Sequence, residues 1–242
     1  MADEKRGMAD EEVKEADGTS VQKLINNESF YSDAKNYWSH ISPTVNGMLG
    51  GFAKISPTDI NGSRAFLRPF LKMGGGKTTA GRALDCGAGI GRITKRLLLP
   101  LFETVDMVEQ SQSFIDAAPQ FIGHDAERVE RFLCCGLQDF VPENGRYDVI
   151  WAQWVLSHLR DDDLVSFLQR CRTGLAPNGV IIVKENVAQG QEIVFDDDDS
   201  SFTRPRAHME EVLAKSGLTI IKKEKQKGFP KDIFEVYMYA LQ

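Results

Sequence analysis

Cysteine, histidine and long apolar runs are all scarce in this chain, and each shortage argues against a class of protein. The 242 residues include only 4 cysteines and 4 histidines, and no cysteine pair has the Cys-x-x-Cys spacing of zinc sites. We therefore expect no metal site and reduced, structural thiols, with Cys134 and Cys135 buried in an apolar run. No apolar run approaches the roughly 18 residues of a membrane span, and the acidic N-terminus does not resemble a signal peptide.

Basic residues are also fewer than acidic ones, with 29 Lys and Arg against 35 Asp and Glu. The net charge is −6 at pH 7 and the sequence pI is about 5.3, whereas domains with a large nucleic-acid footprint are usually basic. We therefore expect no direct nucleic-acid binding and no membrane association, while a basic peptide substrate is compatible with the charge. The composition, with 42% hydrophobic and 26% charged residues, is typical of a globular protein, which we expect to be a cytosolic or nuclear monomer.

The chain divides into a tail and one larger domain. Residues 1–27 are polar and mostly acidic, so we expect a disordered tail that is helical at most near residues 21–25. Residues 28–242 are long enough for a single α/β domain, and its first part, residues 28–73, precedes the first strand. We expect that part to form a helical cap.

Two helices are predicted in the cap. The first has four residues on one face, at positions i, i+4, i+7 and i+8: Phe30, Ala34, Tyr37 and Trp38. A glycine-rich loop over residues 44–52 follows. Ser56 and Pro57 are typical of the start of a second helix, whose inner residues are predicted to be Ile60, Ala65, Phe66, Phe70 and Leu71.

Strands and helices alternate after residue 81. Apolar runs predict seven strands, at residues 82–85, 105–109, 130–135, 147–152, 179–184, 218–224 and 233–241. Helices are predicted at residues 112–121, 161–173 and 205–216. The last two strands leave no room for a helix between them, so we predict an α/β fold with a doubly wound, mainly parallel seven-stranded sheet and one antiparallel strand.

A glycine-rich turn, within the segment RALDCGAGIGR, joins the first strand to a predicted helix through Gly87, Gly89 and Gly91. Glycine lets a backbone approach a ligand closely, and a helix N-terminus behind the turn presents free N–H groups. Dinucleotide enzymes use a similar turn with Gly-x-Gly-x-x-Gly spacing. Here the spacing is shorter and Asp85 precedes the first glycine. Because a carboxylate suits a cationic or zwitterionic ligand, the turn favours S-adenosylmethionine.

Polar side chains end the other parallel strands, at the edge where ligands of such sheets bind. Glu109 can accept hydrogen bonds from both ribose hydroxyls, and Leu137 with Gln138 suits the face and edge of adenine. His158 follows the fourth strand, where either a catalytic role or simple packing fits. Four consecutive acids at residues 196–199 follow the fifth strand, and they form either a solvated loop or a border of the site.

Several segments resemble the protein α-N-terminal methyltransferases that act on Xaa-Pro-Lys or Xaa-Pro-Arg termini. The segments are FYSDAKNYW, PTVNGMLGGF, LDCGAGIGRITKRLLLPLF, CCGLQDF, YDVIWAQWV and DSS. The likeness runs from about Ser29 to the C-terminus, and its first segments are specific to the family. It implies a class I methyltransferase fold, S-adenosyl-L-methionine as methyl donor, transfer to a free protein α-amine, and residence in the nucleus and cytoplasm.

The resemblance also implies roles for individual residues. Six would bind S-adenosylmethionine: Gly87, Arg92, Glu109, Leu137, Gln138 and Gln153. Seven would line the peptide channel: Trp38, Leu49, Ile55, Trp154, Asn186, Asp196 and Ser201. Asp199, which also borders the channel, and His158 would assist removal of a proton from the amine. Glu109 stands where the family has Asp, and Phe234 stands where it has Tyr, so a phenolic hydrogen bond to the peptide would be missing.

Three other interpretations compete with this one, and the first shares every cofactor residue. A small-molecule methyltransferase of the same fold would have a closed pocket in place of a channel. A non-catalytic binder of Pro-Lys termini would bind both ligands without forming product. Methylation of nucleic acid is disfavoured by the acidic charge, and by Gln153-Trp154 where such an enzyme often has Asn/Asp-Pro-Pro-aromatic.

Overall fold

A seven-stranded sheet forms the centre of the structure, a computed structural model that describes residues 20–242. The strands in these residues are β1 (Arg82–Cys86), β2 (Thr104–Glu109), β3 (Val129–Cys134), β4 (Tyr147–Gln153), β5 (Leu175–Val187), β6 (Val194–Asp196), β7 (Ser201–Thr203), β8 (Ile220–Lys225) and β9 (Glu235–Leu241). The order in the large sheet is β3-β2-β1-β4-β5-β9-β8, and β9 runs antiparallel to both of its neighbours. The predicted fold class is therefore confirmed.

Helices precede the sheet and then connect its strands. The α-helices of the described part are α1 (Val21–Ile25), α2 (Phe30–His40), α3 (Val45–Met48), α4 (Ser56–Leu67), α5 (Gln112–Ile122), α6 (Asp161–Gly174) and α7 (Arg206–Lys215). The first four are together called the cap below, which extends the predicted cap (residues 28–73) back to Val21. No helix among these residues is long and apolar enough to cross a membrane.

The core lies on both faces of the sheet. Every residue of the central strand β4 is buried, because helices cover both faces of a parallel sheet. Successive side chains of a strand point to opposite faces, so Val149 and Trp151 join one apolar cluster while Ile150 and Ala152 join the other. Helix α4 covers the first cluster, and α6 and α7 cover the second.

The strand order reverses between β1 and β4, which are neighbours in the sheet although β2 and β3 separate them in the chain. Parallel sheets of this kind bind ligands beyond the carboxyl ends of their strands at such a point. Strand β1 ends immediately before the glycine-rich turn, and β4 ends at Gln153. The topology therefore places the site at this edge.

Several local predictions are wrong. The acidic residues 196–199 begin at the last residue of β6 and continue into the turn of a β6–β7 hairpin, whose two strands the sequence does not predict. Ala65 is exposed, because it lies on the outer side of α4, and Cys134 is exposed at the end of the edge strand β3. The glycine-rich turn leads into a short π-helical segment, Thr94–Leu98, and the predicted loop over residues 44–52 contains α3. All four cysteines have free thiols, as expected.

The helix that the sequence allows near residues 21–25 is present, and it packs on the domain. Residues 21–25 form α1, and Ile25 packs in a small apolar cluster with Phe30 and Phe202. Residues 1–19 lie outside the described part of the chain, so the predicted tail remains a prediction there.

Arg160, at the start of α6, attaches the cap to the rest of the domain. Its Nε donates to the carbonyl oxygen of Ile25 at 2.9 Å, and its Nη2 donates to that of Asn27 at 2.7 Å. The guanidinium carbon also lies 5.5 Å from the ring centre of Phe30 and 5.1 Å from that of Tyr31. One side chain thus binds two backbone carbonyls and two rings of the cap.

The variant Arg160→Gln should loosen the cap, because it removes both hydrogen bonds and the stacking of a cation on two rings. We expect the free energy of unfolding to fall by about 1–3 kcal/mol. Amide hydrogen exchange should become faster in residues 21–31. The control is Arg172→Gln, an exposed arginine near the other end of α6, which should change neither quantity. Equal exchange rates in the two variants would contradict this role of Arg160.

Candidate active site

A cavity, called the inner cavity below, lies beyond the carboxyl ends of β1, β2 and β4. Small molecules bind in concave sites of this kind, at the point where the strand order of an α/β sheet reverses. Its lining includes all six residues that the sequence predicted for the cofactor: Gly87, Arg92, Glu109, Leu137, Gln138 and Gln153. The fold therefore brings these residues together at one edge of the sheet.

The glycine-rich turn forms one wall of the inner cavity. Gly87, Gly89 and Gly91 have φ angles of 69°, 56° and 86°, a region that is unfavourable for residues with a Cβ. Gly87 is crowded as well, since a Cβ there would lie 2.5 Å from Cγ2 of Val155. The turn needs glycine for its conformation, and at Gly87 it also needs glycine for packing.

Asp85 lines the inner cavity, but its carboxylate is engaged by the chain itself. Its Oδ2 accepts from the backbone N–H of Thr94 at 3.0 Å and from the Thr94 hydroxyl at 2.6 Å. Burial raises the pKa of Asp85 to about 6, although both hydrogen bonds oppose this rise. Asp85 therefore holds the helical segment behind the glycines, besides placing negative charge at the cavity wall.

Glu109, at the end of β2, bonds back to the glycine-rich turn. Its Oε2 accepts from the backbone N–H of Gly89 at 3.0 Å, and its Oε1 accepts from that of Ser111 at 2.8 Å. Burial raises the pKa of Glu109, and these N–H groups oppose the rise. Because each carboxylate oxygen has a second lone pair, Glu109 can still accept hydrogen bonds from the hydroxyls of a ligand.

Arg170 fixes the loop that carries Leu137 and Gln138. Its Nη2 donates to the carbonyl oxygens of these two residues at 2.9 and 3.0 Å, and its Nε donates to that of Phe140 at 2.8 Å. Three backbone acceptors are thereby satisfied by one guanidinium. The loop is held so that Leu137 and Gln138 face the inner cavity.

A second, more open space, called the outer groove below, leads from the inner cavity to the surface. Its lining includes all seven residues predicted for the peptide channel: Trp38, Leu49, Ile55, Trp154, Asn186, Asp196 and Ser201. Asp199 lines it too. Four residues line both spaces and so mark their junction: Trp38, Met48, Trp154 and His158.

His158 lies at this junction and is held by separate elements. Trp38 of α2 donates its indole N–H to Nε2 of His158 at 3.1 Å, and Nδ1 lies 3.4 Å from the carbonyl oxygen of Ser200. Since Nε2 accepts a hydrogen bond, the proton of the neutral ring is assigned to Nδ1. Burial lowers the pKa of His158, and the nearby Asp199 opposes this effect.

Asp199 is brought to His158 by the β6–β7 hairpin. Its Oδ2 lies 3.8 Å from Nε2 of His158. Its Oδ1 is buried and has no hydrogen-bond partner among residues 20–242. Burial raises the pKa of Asp199, while the neighbouring His158 favours its charged form. An unpaired buried carboxylate oxygen costs free energy, so this atom is suited to an N–H donor from a ligand.

Glu185 of β5 holds the backbone next to this junction in place. Its Oε2 accepts from the backbone N–H groups of Val155 at 3.0 Å and Leu156 at 2.9 Å, which fixes the turn that leads to His158. Burial raises the pKa of Glu185 to about 7. Just before this turn, Trp154 has a φ of 52°, a strained conformation for a residue with a large side chain.

Sequence reasoning missed a further set of residues near the site. Asp59 accepts hydrogen bonds from both Arg92 and Gln153, and other missed residues line the inner cavity: Tyr31, Ala34, Met48, Phe114 and Val155. Most of these belong to the cap or to helices, where no strand end or glycine motif marks them. The only available signal was the family-specific character of the cap segments.

The lining of the inner cavity suits a zwitterionic nucleoside. Glu109 offers a carboxylate for hydroxyls, Leu137 and Gln138 offer an apolar face and an amide for a base, and Arg92 offers a guanidinium for an anion. The residues present therefore fit S-adenosylmethionine.

Comparisons with known proteins agree with this geometry. A family model described as AdoMet dependent proline di-methyltransferase matches residues 26–242. The chain is 56% identical to N-terminal Xaa-Pro-Lys N-methyltransferase 1 of Danio rerio over 214 residues, covering 88% of this chain and 96% of that protein. The Homo sapiens protein of the same name is 51% identical over 213 residues, covering 88% and 95%.

A solved structure is also similar over nearly the whole chain. It is a SAM-dependent methyltransferase from Leishmania major, with a TM-score of 0.83 and 32% sequence identity, and the match covers 95% of each chain.

The variant Gly87→Ala should abolish binding in the inner cavity and destabilise the protein, because it combines a positive φ with a clash against Val155. The control is Gly145→Ala, whose φ of 65° is similar but whose added Cβ would meet no atom within 4 Å. We expect Gly145→Ala to cost about 1 kcal/mol and Gly87→Ala about 1–3 kcal/mol more. Thermal unfolding with and without S-adenosylhomocysteine measures both effects. Equal destabilisation, with ligand binding retained, would show that Val155 does not restrict the turn.

Proposed function

Because the chain belongs to the AdoMet-dependent proline di-methyltransferase family, we propose that it transfers methyl groups to the free α-amine of proteins that begin Xaa-Pro-Lys or Xaa-Pro-Arg. Bound in the inner cavity, S-adenosylmethionine supplies an electrophilic methyl group on a sulfonium. The residues of the chain supply binding, orientation and a path for the proton of the amine.

The observation that carries this proposal is the junction of the two spaces. A carboxylate, Asp199, with a buried unpaired oxygen lies beside the neutral imidazole of His158, at the point where the outer groove meets the inner cavity. A substrate ammonium group that reaches the end of the groove would give Asp199 the donor it lacks. The open groove also favours a peptide over a small molecule, which would need only a closed pocket.

The acid–base chemistry is undemanding for an α-amine. Its pKa is about 7.7–8.0, so removal of a proton at pH 7 costs only about 1 kcal/mol, whereas a lysine amine would cost about 4–5 kcal/mol. Asp199 attracts and orients the ammonium group but also favours its charged form. His158, kept neutral by burial, has its one basic lone pair on Nε2, and it is suited to accept the proton there when the indole N–H of Trp38 gives up that atom.

The outer groove also supplies features for the next two substrate residues. Leu49 and Ile55 form an apolar wall that suits a proline, which is already rigid and so loses little entropy on binding. The acids of the hairpin, Asp196 among them, provide negative charge for a third-position Lys or Arg. Phe234 stands at the rim with 38% of its surface exposed, and it has no hydroxyl to bond a peptide.

The direct test uses an Xaa-Pro-Lys peptide with S-adenosylmethionine, and mass spectrometry to count the methyl groups on each product. The free peptide should be methylated, whereas the same peptide with an acetylated N-terminus should not. A matched peptide with alanine in place of proline should react much more slowly. Methylation of the acetylated peptide, or none of the free one, would overturn the proposal.

The pH dependence of kcat tests the role of His158. Because burial lowers its pKa, the fall in kcat that reports His158 should lie below about pH 6.5, separate from the fall caused by the substrate amine near pH 7.7–8.0. Trp38→Phe removes the indole N–H that favours the neutral form of His158, so the pKa of His158 should rise. The acidic limb of the profile, where kcat falls as His158 becomes protonated, should then move to higher pH by about 0.4–1 unit, the equivalent of one hydrogen bond.

Tyr37→Phe is the matched control for that profile. Tyr37 lines the same groove, and no hydrogen bond of its hydroxyl within residues 20–242 affects its ionisation, so the acidic side of the kcat profile should not shift. A uniform drop in kcat for Trp38→Phe with no shift of the limb would mean that Trp38 contacts the peptide without tuning His158.

A further inference from the structure

Asp59 is a fully buried acid in the cap helix α4, and three donors from three other elements converge on it. Arg92, just after the glycine-rich turn, donates from Nη1 to Oδ2 at 2.7 Å. Gln153, at the end of β4, donates from Nε2 to Oδ1 at 2.8 Å. Lys184 of β5 places Nζ 2.5 Å from Oδ1. Two of these three residues, Arg92 and Gln153, line the inner cavity.

The charges in this cluster do not balance. Asp59 carries one negative charge, whereas Arg92 and Lys184 carry two positive charges, with side chains that are only 6% and 0% exposed. The other partners of Lys184 are neutral oxygens, the hydroxyl of Ser63 and the amide oxygen of Gln226. Burial lowers the pKa of Lys184, whereas Asp59 favours its charged form. Asp85 offsets part of the surplus positive charge through space, since Arg92 favours its charged form, but it makes no hydrogen bond to Arg92 within residues 20–242. The buried positive charge that remains is costly unless an anion meets it.

Arg92 is where such an anion can bind. Its hydrogen bonds within the described residues use Nη1 alone, to Asp59 and to Ser56, so Nε and Nη2 remain for a ligand in the inner cavity. A guanidinium held at one corner is pre-organised to bind a carboxylate with the other two donors. The guanidinium carbon also lies 5.4 Å from the ring centre of Trp154, at the junction with the outer groove.

We infer that Asp59 is a positioning residue for the carboxylate end of the methyl donor. It fixes Arg92 and Gln153 in the conformation that receives this end, and the carboxylate of the donor neutralises the remaining positive charge of the cluster. The inference rests on the proposed function, because it takes S-adenosylmethionine as the ligand of the inner cavity. It also means that docking of α4 and formation of the cofactor site are one event.

The test measures the binding of two ligands to Asp59→Asn by isothermal titration calorimetry. S-adenosylhomocysteine has the amino-acid carboxylate, whereas methylthioadenosine has the same nucleoside without the amino-acid part. We expect affinity for S-adenosylhomocysteine to fall about 10- to 100-fold, as for loss of one charge-assisted hydrogen bond. Affinity for methylthioadenosine should change by less than about 2-fold. Equal losses for the two ligands, or unchanged binding of S-adenosylhomocysteine, would overturn the inference.

Ser63→Ala is the matched control. Ser63 lies one turn further along α4, is equally buried, and accepts from Lys184 at 2.9 Å, but it contacts neither Arg92 nor Gln153. This variant should lose stability while keeping the ratio of the two affinities. A changed ratio in Ser63→Ala would show that any damage to the cluster has the same effect, and that Asp59 has no special role.

A charge-balanced double variant covers the case in which Asp59→Asn does not fold. Asp59→Asn with Lys184→Met removes both members of the buried pair and keeps the net charge of the cluster at one positive charge, a change that folded proteins often tolerate. The selective loss of S-adenosylhomocysteine affinity should persist, because Arg92 still lacks its anchor. Restored affinity would mean that charge alone matters, which would contradict positioning by Asp59.

These outcomes are separate from those of the proposed function. If the wild-type chain binds S-adenosylhomocysteine more tightly than methylthioadenosine yet methylates no free peptide, the proposed function fails and the inference about Asp59 stands. If the wild-type chain methylates the peptide but Asp59→Asn weakens both ligands equally, only the inference fails.

Discussion

Three buried carboxylates at the carboxyl edge of the sheet hold the loops on which the site depends. Asp85 accepts from Thr94, Glu109 accepts from Gly89 and Ser111, and Glu185 accepts from Val155 and Leu156. Where a loop leaves the sheet inside the protein, its backbone N–H groups are buried and have no partner on a neighbouring strand. Such groups need another hydrogen-bond acceptor. Because the acceptors are rigid strand ends, the glycine-rich turn and the turn before His158 have fixed positions before any ligand binds.

The end of the site proposed for the substrate amine is assembled from parts that are distant in the chain. His158 contacts Trp38 of the cap on one side and Ser200 and Asp199 of the hairpin on the other. The hairpin itself is tied to the cap, since the hydroxyl of Ser200 donates to the carbonyl oxygen of Phe30 at 3.0 Å. The inner cavity combines the ends of the central strands with the cap, through Asp59 beside Arg92 and Gln153. The junction at His158 needs the hairpin as well as the cap and the sheet.

The strengths and gaps of sequence reasoning follow from this difference. The seven strands of the large sheet are predictable because apolar runs, and the glycines in the turns between them, are local signals in the sequence. Strands β6 and β7, of three residues each, are too short to show the two-residue alternation of a strand, so the sequence does not predict them. Asp59 was missed because an acid in an amphipathic helix looks like any solvated side chain. Only its burial against Arg92 and Lys184 distinguishes it.

The sequence by itself determined the fold class, the methyl donor and the family, because turns, strand ends and family-specific segments are encoded in contiguous residues. It also singled out six residues at or beyond strand ends that line the inner cavity. The tertiary structure alone decided which side chains share a hydrogen bond across the cap and the sheet: Trp38 with His158, and Asp59 with Arg92. Such pairs depend on how two separately encoded elements pack, and no local spacing in the chain records that geometry.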